Sequence, residues 1–508
     1  MVHFRAVSLV ASCLFACAAH AAELTSPVKV TGGEVAGLQA DALKTYLGIP
    51  FAAPPVGNLR WKAPQPVVPW KGVKEVRDFS PACAQTAVWM PEQKSEDCLY
   101  LNVWTPEKAR NLPVIVWIHG GGYYGGAGKY GAGNLARRGA IVVSMNYRLG
   151  IFGFFAHPEL SAESPDRASG NQAILDQIAA LRWVKSNIAA FGGDPGRVTI
   201  MGESSGSESV AILVATPLAK GLFHRAIAES GNDSMPINAE EENRFERKAG
   251  AEAKGQAFAK AAGAQNLAEL RAMSVETLHK TAWSPRTVVE GHVLREDLTT
   301  TFRHHRQNDV PLLAGWNAEE GKDLTQEIAH IDDLNADHVR GMVATLLGRA
   351  PSDALVAAYP GLVDAKPKRA AIDQLMNDWW GWRMVRWAEL QAKYGQSKPY
   401  VYFFAHLPAE PLTPCAYGCR AGHGAEIPYV FYNLDQDKRP WTSADRQLAT
   451  RLADTWVNFA STGNPNGKGL PAWPAFNGSM ASVQRIGDEV QLKAHPLPDF
   501  SVFPQLAE

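Results

Sequence analysis

Residues 198–206 read Val-Thr-Ile-Met-Gly-Glu-Ser-Ser-Gly, and this stretch limits what the chain can fold into more than any other. An apolar run that ends in Gly-x-Ser-x-Gly predicts a buried strand ending near Met201 and a helix beginning after Ser204. The turn between them is so tight that neither Gly202 nor Gly206 has room for a β-carbon. Such a turn holds the serine hydroxyl out at the edge of a sheet, so Ser204 is a candidate nucleophile.

A serine hydroxyl is a weak nucleophile at neutral pH, so it needs a base, a carboxylate to orient that base, and donors for the developing oxyanion. A second apolar, β-branched run, Leu112–Ile118, predicts another strand and leads into His119 and three glycines. A glycine-rich loop after a strand offers bare backbone N–H groups. We therefore predict that the N–H groups of Gly121, Gly122 and Ser205 form an oxyanion hole, with a merely flexible turn as the alternative.

Further motifs lie along the chain in a fixed order. The longest of them is residues 96–104, Glu-Asp-Cys-Leu-Tyr-Leu-Asn-Val-Trp, and shorter blocks lie at 47–50, 146–150 and 191–195. Together with the serine turn they resemble the type-B carboxylesterases, the α/β-hydrolase family that includes acetylcholinesterase and the bacterial para-nitrobenzyl esterases. The resemblance implies an α/β fold, with a mostly parallel central sheet, helices on both faces and a helical lid-like region.

The resemblance also implies the partners of Ser204. The family places its acid in a block of the form Gly-x-Asn-x-x-Glu-Gly, which residues 315–321 fit, so Glu320 is the expected acid and Glu319 its competitor. The base comes last in such folds. His423 follows in residues 422–429, which are similar to the family's histidine block. Ser230 resembles the family's second serine, which hydrogen-bonds near the acid and would play a supporting role.

A Ser-His-Glu triad of this kind implies double displacement through an acyl-enzyme, with no cofactor and no metal. The expected partner is a small-molecule carboxylic ester. An amidase or other acyl-transfer enzyme with the same triad is one alternative, because ester and amide hydrolysis differ mainly in how the leaving group is protonated. A non-catalytic binding module on the same fold is the other, although adhesion relatives of the family lose the nucleophile that this chain keeps.

Aromatic residues near the motifs are candidates for substrate binding. Tyr123 and Tyr124 directly follow the oxyanion glycines, and Trp379 and Trp380 lie in a helical region. The hypothesis is a gorge with aromatic walls that prefers apolar or aromatic esters. The alternative is that the tryptophans belong to the core.

The overall composition fits a large enzyme. The 508 residues are 46% apolar, no low-complexity linker divides them, and residues 22–508 are predicted to form one domain. The formal net charge of -1 argues against a nucleic-acid partner. A strand pattern at Ile141–Met145, followed by a helical pattern at 173–188, predicts a mostly parallel sheet. The polar, helical stretches at 236–300 and 325–395 are predicted to form the lid-like region.

The amino terminus reads as an export signal spanning residues 1–21. Arg5 supplies the positive charge, residues 6–17 form a short apolar stretch, and Ala19-His20-Ala21 provides a small-x-small cleavage site. Lipoprotein processing at Cys17 is the alternative. No other segment approaches the roughly 20 apolar residues of a transmembrane helix. We therefore expect a protein without a membrane span, exported to a periplasm or out of the cell.

Four cysteines remain after such a cleavage, and outside the cytosol paired thiols usually become disulfides. The family resemblance implies that Cys98 closes a loop with an upstream cysteine, which would be Cys83. Cys415 and Cys419 are left as a second pair shortly before the histidine block. We predict a disulfide there too, and a zinc site is the weaker alternative because two thiols alone bind zinc poorly. The sequence does not indicate an oligomeric state.

Overall fold

The computed structural model describes residues 22–90, 93–231, 246–325, 334–347, 350–362, 368–409, 420–436 and 438–503. Most of its strands join one large central sheet. The strands in chain order are β1 Glu23–Leu24, β2 Val28–Val30, β3 Gly33–Ala36, β4 Leu38–Ala40, β5 Leu43–Pro50, β6 Val73–Glu75, β7 Ala82–Cys83, β8 Lys94–Ser95, β9 Tyr100–Pro106, β10 Leu112–Ile118, β11 Ile141–Met145, β12 Gly193–Glu203, β13 Arg225–Glu229, β14 Glu246–Arg247, β15 Val288–Val289, β16 Leu312–Asn317, β17 Pro399–Phe404 and β18 Gln484–Ile486.

The central sheet has a parallel part and an antiparallel edge. Its strand order is β1-β4-β5-β9-β11-β10-β12-β13-β16-β17-β18. The pairs from β1 to β11 are antiparallel, whereas every pair from β11 to β18 is parallel. The prediction of a mostly parallel α/β sheet is therefore confirmed.

Helices α4, α5, α13 and α15 pack against the parallel strands. The helices in chain order are α1 Gly133–Ala136, α2 Gly150–Gly153, α3 Pro158–Glu163, α4 Gln172–Asn187, α5 Ser205–Ala215, α6 Lys248–Ala262, α7 Leu267–Ala272, α8 Val275–His279, α9 Leu298–Arg303, α10 Glu320–Thr325, α11 Ala336–Leu347, α12 Asp353–Ala358, α13 Lys368–Tyr394, α14 Ile427–Val430, α15 Ser443–Thr462 and α16 Glu489–Ala494.

The central strands form where the sequence predicted them. β10 and β11 match the predicted bounds, and they are buried almost throughout, as expected for parallel strands covered on both faces. The predicted helical pattern at 173–188 forms α4. The strand before the serine turn continues past Met201 to Glu203, because its last residue pairs in register with Glu229 of β13.

The two stretches predicted to form the lid-like region are largely helical where the structure describes them. Within 236–300 the described residues form α6 to α9, and within 325–395 they form α11 to α13. α13 packs against β16 and β17. The ring of Trp380, on α13, lies with its centroid 5.8 Å from that of His423. The region predicted to be lid-like therefore reaches the candidate site.

The predicted disulfide between Cys83 and Cys98 is present, with the two Cα atoms 5.0 Å apart. The predicted pair Cys415 and Cys419 lies outside the described residues, as does the predicted signal at residues 1–21. None of the helices in the described ranges has the length and apolar composition needed to cross a membrane.

Candidate active site

Ser204 lies in a strained turn between β12 and α5. Its backbone has φ 55° and ψ −125°, a conformation that a non-glycine residue adopts only when the surrounding structure enforces it. A β-carbon on Gly206 would lie 2.1 Å from the carbonyl oxygen of Ile118, and one on Gly202 would lie 2.4 Å from the Gly206 backbone. One on Gly231 would lie 1.9 Å from the Ser204 carbonyl oxygen. Three glycines therefore let the turn close, as the sequence predicted for two of them.

The glycine-rich loop after β10 lies against this turn. Gly121 and Gly122 have positive φ angles of 108° and 62°. The backbone N–H of Tyr123 donates to Oγ of Ser205 at 3.2 Å, which fixes the loop to the start of α5. In the part of the chain that the structure describes, the N–H groups of Gly121, Gly122 and Ser205 donate to no protein acceptor. The three predicted oxyanion donors are thus unengaged.

His119, at the start of this loop, packs between the loop and Tyr147. Its ring stacks on Tyr147 with centroids 4.3 Å apart, and its Nδ1 lies 2.9 Å from the carbonyl oxygen of Gly120. Burial lowers the pKa of His119 to about 4, although the contact with Gly120 opposes this shift. His119 is therefore neutral at neutral pH and acts as a packing residue.

His423 meets the predicted acid directly. Its Nδ1 lies 2.6 Å from Oε2 of Glu320, a fully buried carboxylate whose Oε1 accepts the backbone N–H of Asn317 at 2.7 Å. The competitor Glu319 points elsewhere and pairs with Arg420 at 3.0 Å and with a neighbouring lysine. Of the two adjacent glutamates, the one that contacts the histidine is Glu320.

A second carboxylate faces the other ring nitrogen of His423. Nε2 lies 3.2 Å from Oε1 of Glu203, the residue before the serine. Burial lowers the pKa of His423, but the charges of Glu203 and Glu320 more than offset this and raise it to about 10. Burial also raises the pKa of Glu203 to about 7; the nearby His423 lowers it and Glu320 raises it. Both ring nitrogens of His423 therefore face carboxylates, whose charges favour the protonated form of the ring.

Two more buried glutamates lie behind this pair. Glu229, paired in register with Glu203, accepts the indole N–H of Trp456 at 2.7 Å. Glu426 accepts the amide N–H of Asn317 at 2.5 Å. Burial, with the charges of Glu203 and Glu320, raises the pKa of Glu426 to about 8, and burial beside Glu426 also raises that of Glu229. Burial among other carboxyl groups therefore favours the neutral form of both side chains.

The sequence analysis did not predict Glu203, Glu229 or Glu426 as site residues, although their positions in the sequence offered a signal. Glu203 and Glu229 each stand at the end of an apolar strand and directly before a serine. A carboxylate in that position faces the carboxyl edge of the sheet, where the catalytic groups of such folds gather. Glu426 lies three residues after His423 and directly before α14.

Ser230 is buried beside the site with a positive φ of 49°. The family resemblance implied a hydrogen bond from this serine near the acid, but within the described residues its hydroxyl has no hydrogen-bond partner. The Glu320 oxygens are instead engaged by Asn317 and His423. The backbone carbonyl of Ser230 accepts the indole N–H of Trp380 at 2.7 Å, so this residue ties α13 to the site.

The four aromatic candidates for substrate binding differ in exposure. Tyr123 is 4% exposed, and its hydroxyl lies 3.1 Å from Oγ of Ser209. Trp379 is 2% exposed and packs on Trp380. Tyr124 is 42% exposed, and Trp380 is partly exposed beside His423. Only Tyr124 and Trp380 of the four have appreciable free surface, so Tyr123 and Trp379 are placed as packing residues.

The disulfide-closed segment is joined to the oxyanion loop by one side chain. The amide of Gln85 donates to the carbonyl of Gly126 at 2.8 Å and accepts the N–H of the same glycine at 3.0 Å. Gln85 lies two residues after Cys83 of the disulfide. We call this paired contact the glutamine bridge. It makes the position of the oxyanion loop depend on the Cys83–Cys98 segment.

In the described ranges, no cluster of three or more His, Cys, Asp or Glu side chains is arranged to hold a metal ion.

Residues 25–499 match the sequence profile described as the carboxylesterase family. The chain is 36% identical to the fumonisin B1 esterase of Sphingopyxis macrogoltabida, over 90% of this chain and 86% of that one. It is 34% identical to the para-nitrobenzyl esterase of Bacillus subtilis (strain 168), over 91% of this chain and 95% of that one.

Solved structures give the same result. The carboxylesterase EST55 of Geobacillus stearothermophilus superposes with a TM-score of 0.76 at 32% identity, over 89% of this chain and 94% of that one. A thermophilic para-nitrobenzyl esterase gives 0.76 at 33% identity, with 89% and 93% covered. The predicted α/β-hydrolase fold is therefore confirmed. By sequence and by structure, this chain belongs to the carboxylesterase family.

Proposed function

We propose that this protein hydrolyses carboxylic esters through an acyl-enzyme on Ser204, with His423 as general base and Glu320 as the acid that orients it. One observation carries the proposal. The buried Glu320 carboxylate contacts His423 at 2.6 Å, close to a serine turn whose φ is 55°. Strain of this kind persists only where the surroundings enforce it, and it concentrates at reacting groups.

In the first step, Nε2 of His423 takes the proton of Ser204 while Oγ attacks the ester carbonyl carbon. Glu320 accepts the Nδ1 proton of the imidazole, which fixes the tautomer that leaves Nε2 free to act as a base. The imidazolium then gives its proton to the departing alcohol. A water molecule, activated in the same way, releases the acid and restores the serine.

The negative oxygen of the tetrahedral intermediate needs donors that are already in place. The N–H groups of Gly121, Gly122 and Ser205 are unengaged among the described residues and lie beside the serine turn. Losing one such donor typically reduces kcat by about a hundredfold to a thousandfold. Glu203 also contributes, because its carboxylate lies 3.2 Å from Nε2 and stabilises the imidazolium that forms.

Relatives support the substrate class. The names fumonisin B1 esterase and para-nitrobenzyl esterase describe proteins that act on esters. For this chain we infer a small-molecule ester, with Tyr124 and Trp380 as the exposed aromatic surface near the site. Export is part of the same proposal and is supported by the Cys83–Cys98 disulfide, since such bonds persist in oxidising compartments. Mass spectrometry of the mature end separates cleavage before Ala22 from lipid attachment at Cys17.

The test compares the wild type with Ser204→Ala. We expect the wild type to hydrolyse para-nitrophenyl acetate, butyrate and octanoate, and to form a single adduct with an organophosphate probe by intact mass. Ser204→Ala should lose turnover and adduct, while Ser443→Ala, at an exposed serine of α15, should keep both. A folded wild type with neither turnover nor adduct would contradict the proposal. A matched para-nitroanilide tests the amidase alternative.

A further inference from the structure

A cavity of about 380 Å³ lies between α6 and the segment 281–288, outside the triad. Much of its wall is apolar, with Phe154, Phe258, Trp283 and Val288 among the lining residues. A volume of this size falls within the range of small-molecule sites. The cavity could accommodate several methylene groups or an aromatic ring.

The cavity shares residues with the oxyanion loop. Phe154 packs on the ring of Tyr123 with centroids 4.5 Å apart. At another side, Oγ of the lining residue Ser284 lies 3.0 Å from the hydroxyl of Tyr124. Both tyrosines directly follow the oxyanion glycines. The side chains of these two tyrosines therefore connect the cavity to the oxyanion loop.

Charged side chains also line the cavity. Lys254 on α6 pairs with Glu246, and its side chain is 61% exposed. Arg286 is exposed and has no ion-pair partner among the described residues. Two cations and one anion leave an excess of one positive charge on a largely apolar wall. The planar guanidinium of Arg286 can bind a carboxylate with two parallel hydrogen bonds.

We propose that this cavity binds the part of an ester substrate remote from the reacting carbonyl, and that Arg286 and Lys254 select substrates carrying a carboxylate there. The inference rests on the proposed esterase function and names its substrate class. The apolar wall holds the carbon chain, and Arg286 receives the terminal carboxylate. Glu246 competes with the ligand for Lys254, so it limits this selectivity.

The experiment compares two esters of equal chain length, mono-4-nitrophenyl adipate and 4-nitrophenyl hexanoate. Arg286→Ala should lower the adipate-to-hexanoate ratio of kcat/KM by roughly 1.4-fold to fivefold, the range for an exposed charge pair, and leave hexanoate turnover within about 1.3-fold. Glu246→Gln should raise that ratio because it frees Lys254. Arg110→Ala is the matched control, since Arg110 is also exposed but precedes β10, at the opposite end of that strand from the oxyanion loop.

Added salt gives a second readout. Raising the salt concentration should reduce the preference for adipate in the wild type, because exposed charges are screened beyond about 10 Å at 0.1 M salt. In Arg286→Ala the salt effect should be smaller. A parallel series with 4-acetoxybenzoate and phenyl acetate shows whether the carboxylate is recognised on the alcohol side of the ester instead of the acyl side.

Two results would overturn the inference while leaving the esterase function intact. One is hydrolysis of hexanoate with no charge-dependent effect of Arg286→Ala in either series. The other is an equal loss for charged and neutral esters, which would assign Arg286 to support of the fold. Failure of the wild type on every ester would instead contradict the proposed function itself.

Discussion

Glu203→Gln is expected to shift the pH dependence of kcat/KM to lower pH. The change removes one of the two carboxylates that face His423 and keeps the size of the side chain. Two unit charges 3.2 Å apart attract by about 5 kcal/mol at an effective dielectric constant of about 20. That energy corresponds to almost 4 pKa units as an upper limit, at about 1.4 kcal/mol per unit. Glu203 has a pKa of about 7 and is fully charged at the pH where His423 titrates. An opposite charge this close typically shifts a pKa by about 1 to 3 units, so we expect a shift of that size.

The sign follows from the role of the histidine. Only neutral His423 can accept the proton of Ser204, and its pKa is raised to about 10. In the wild type, kcat/KM should therefore rise with pH into the alkaline range. Without the Glu203 charge the pKa of His423 falls, and the midpoint of that rise moves to lower pH. The plateau above the midpoint should also fall, because Glu203 no longer stabilises the imidazolium that forms in the transition state.

The assay is kcat/KM for para-nitrophenyl butyrate from about pH 5 to about pH 11.5, corrected for spontaneous hydrolysis and read at the wavelength where nitrophenol and nitrophenolate absorb equally. Glu319→Gln is the matched control, because that carboxylate faces Arg420 and not His423. Its midpoint should stay within about 0.3 units of the wild type. An unchanged or raised midpoint in a folded Glu203→Gln protein would refute the reasoning.

Three further changes follow from the same geometry. Glu320→Gln should lower kcat by roughly a thousandfold to ten-thousandfold with little change in KM, because the histidine loses its orienting partner; steady-state kinetics check this, and near-normal kcat would transfer the acid role elsewhere. Gly231→Ala places a β-carbon 1.9 Å from the Ser204 carbonyl oxygen. We therefore expect loss of activity and a destabilisation of roughly 1 to 3 kcal/mol, measured by thermal unfolding. A Tm equal to that of the wild type would show that the backbone moves to make room for the added methyl group. Cys98→Ser opens a loop whose ends are 15 residues apart and should lower the free energy of unfolding by about 3 kcal/mol in urea; reduced wild type should match it, and an unchanged midpoint would show that the disulfide adds nothing.

Sequence patterns predicted the elements that stand on continuous apolar runs. Leu112–Ile118 and Ile141–Met145 form strands at the predicted bounds because each is a buried run of mostly β-branched residues. The strand before Ser204 is predicted to end near Met201, where the apolar run meets the Gly-x-Ser-x-Gly motif. Its true end at Glu203 depends on pairing with Glu229, a contact between residues far apart in the chain.

The contacts of the candidate site were only partly predictable. Motif order indicated Ser204, Glu320 and His423, and the structure brings the last two into contact. It could not indicate that Glu203 would face Nε2, because that contact joins residues far apart in the chain. The cavity could not be predicted from the sequence either. Its wall joins residues near Phe154 to residues near Arg286, which are distant in the chain and meet only in the folded protein.

The glutamine bridge has a consequence for how the enzyme matures. Gln85 holds both polar groups of Gly126, and it lies in the segment that the Cys83–Cys98 bond closes. Newly made chains that still carry free thiols would have a complete sheet but a less restrained oxyanion loop. If the chain is exported as proposed, oxidation of this cysteine pair would complete the restraint on the oxyanion loop, and ester cleavage would reach full strength only in an oxidising compartment.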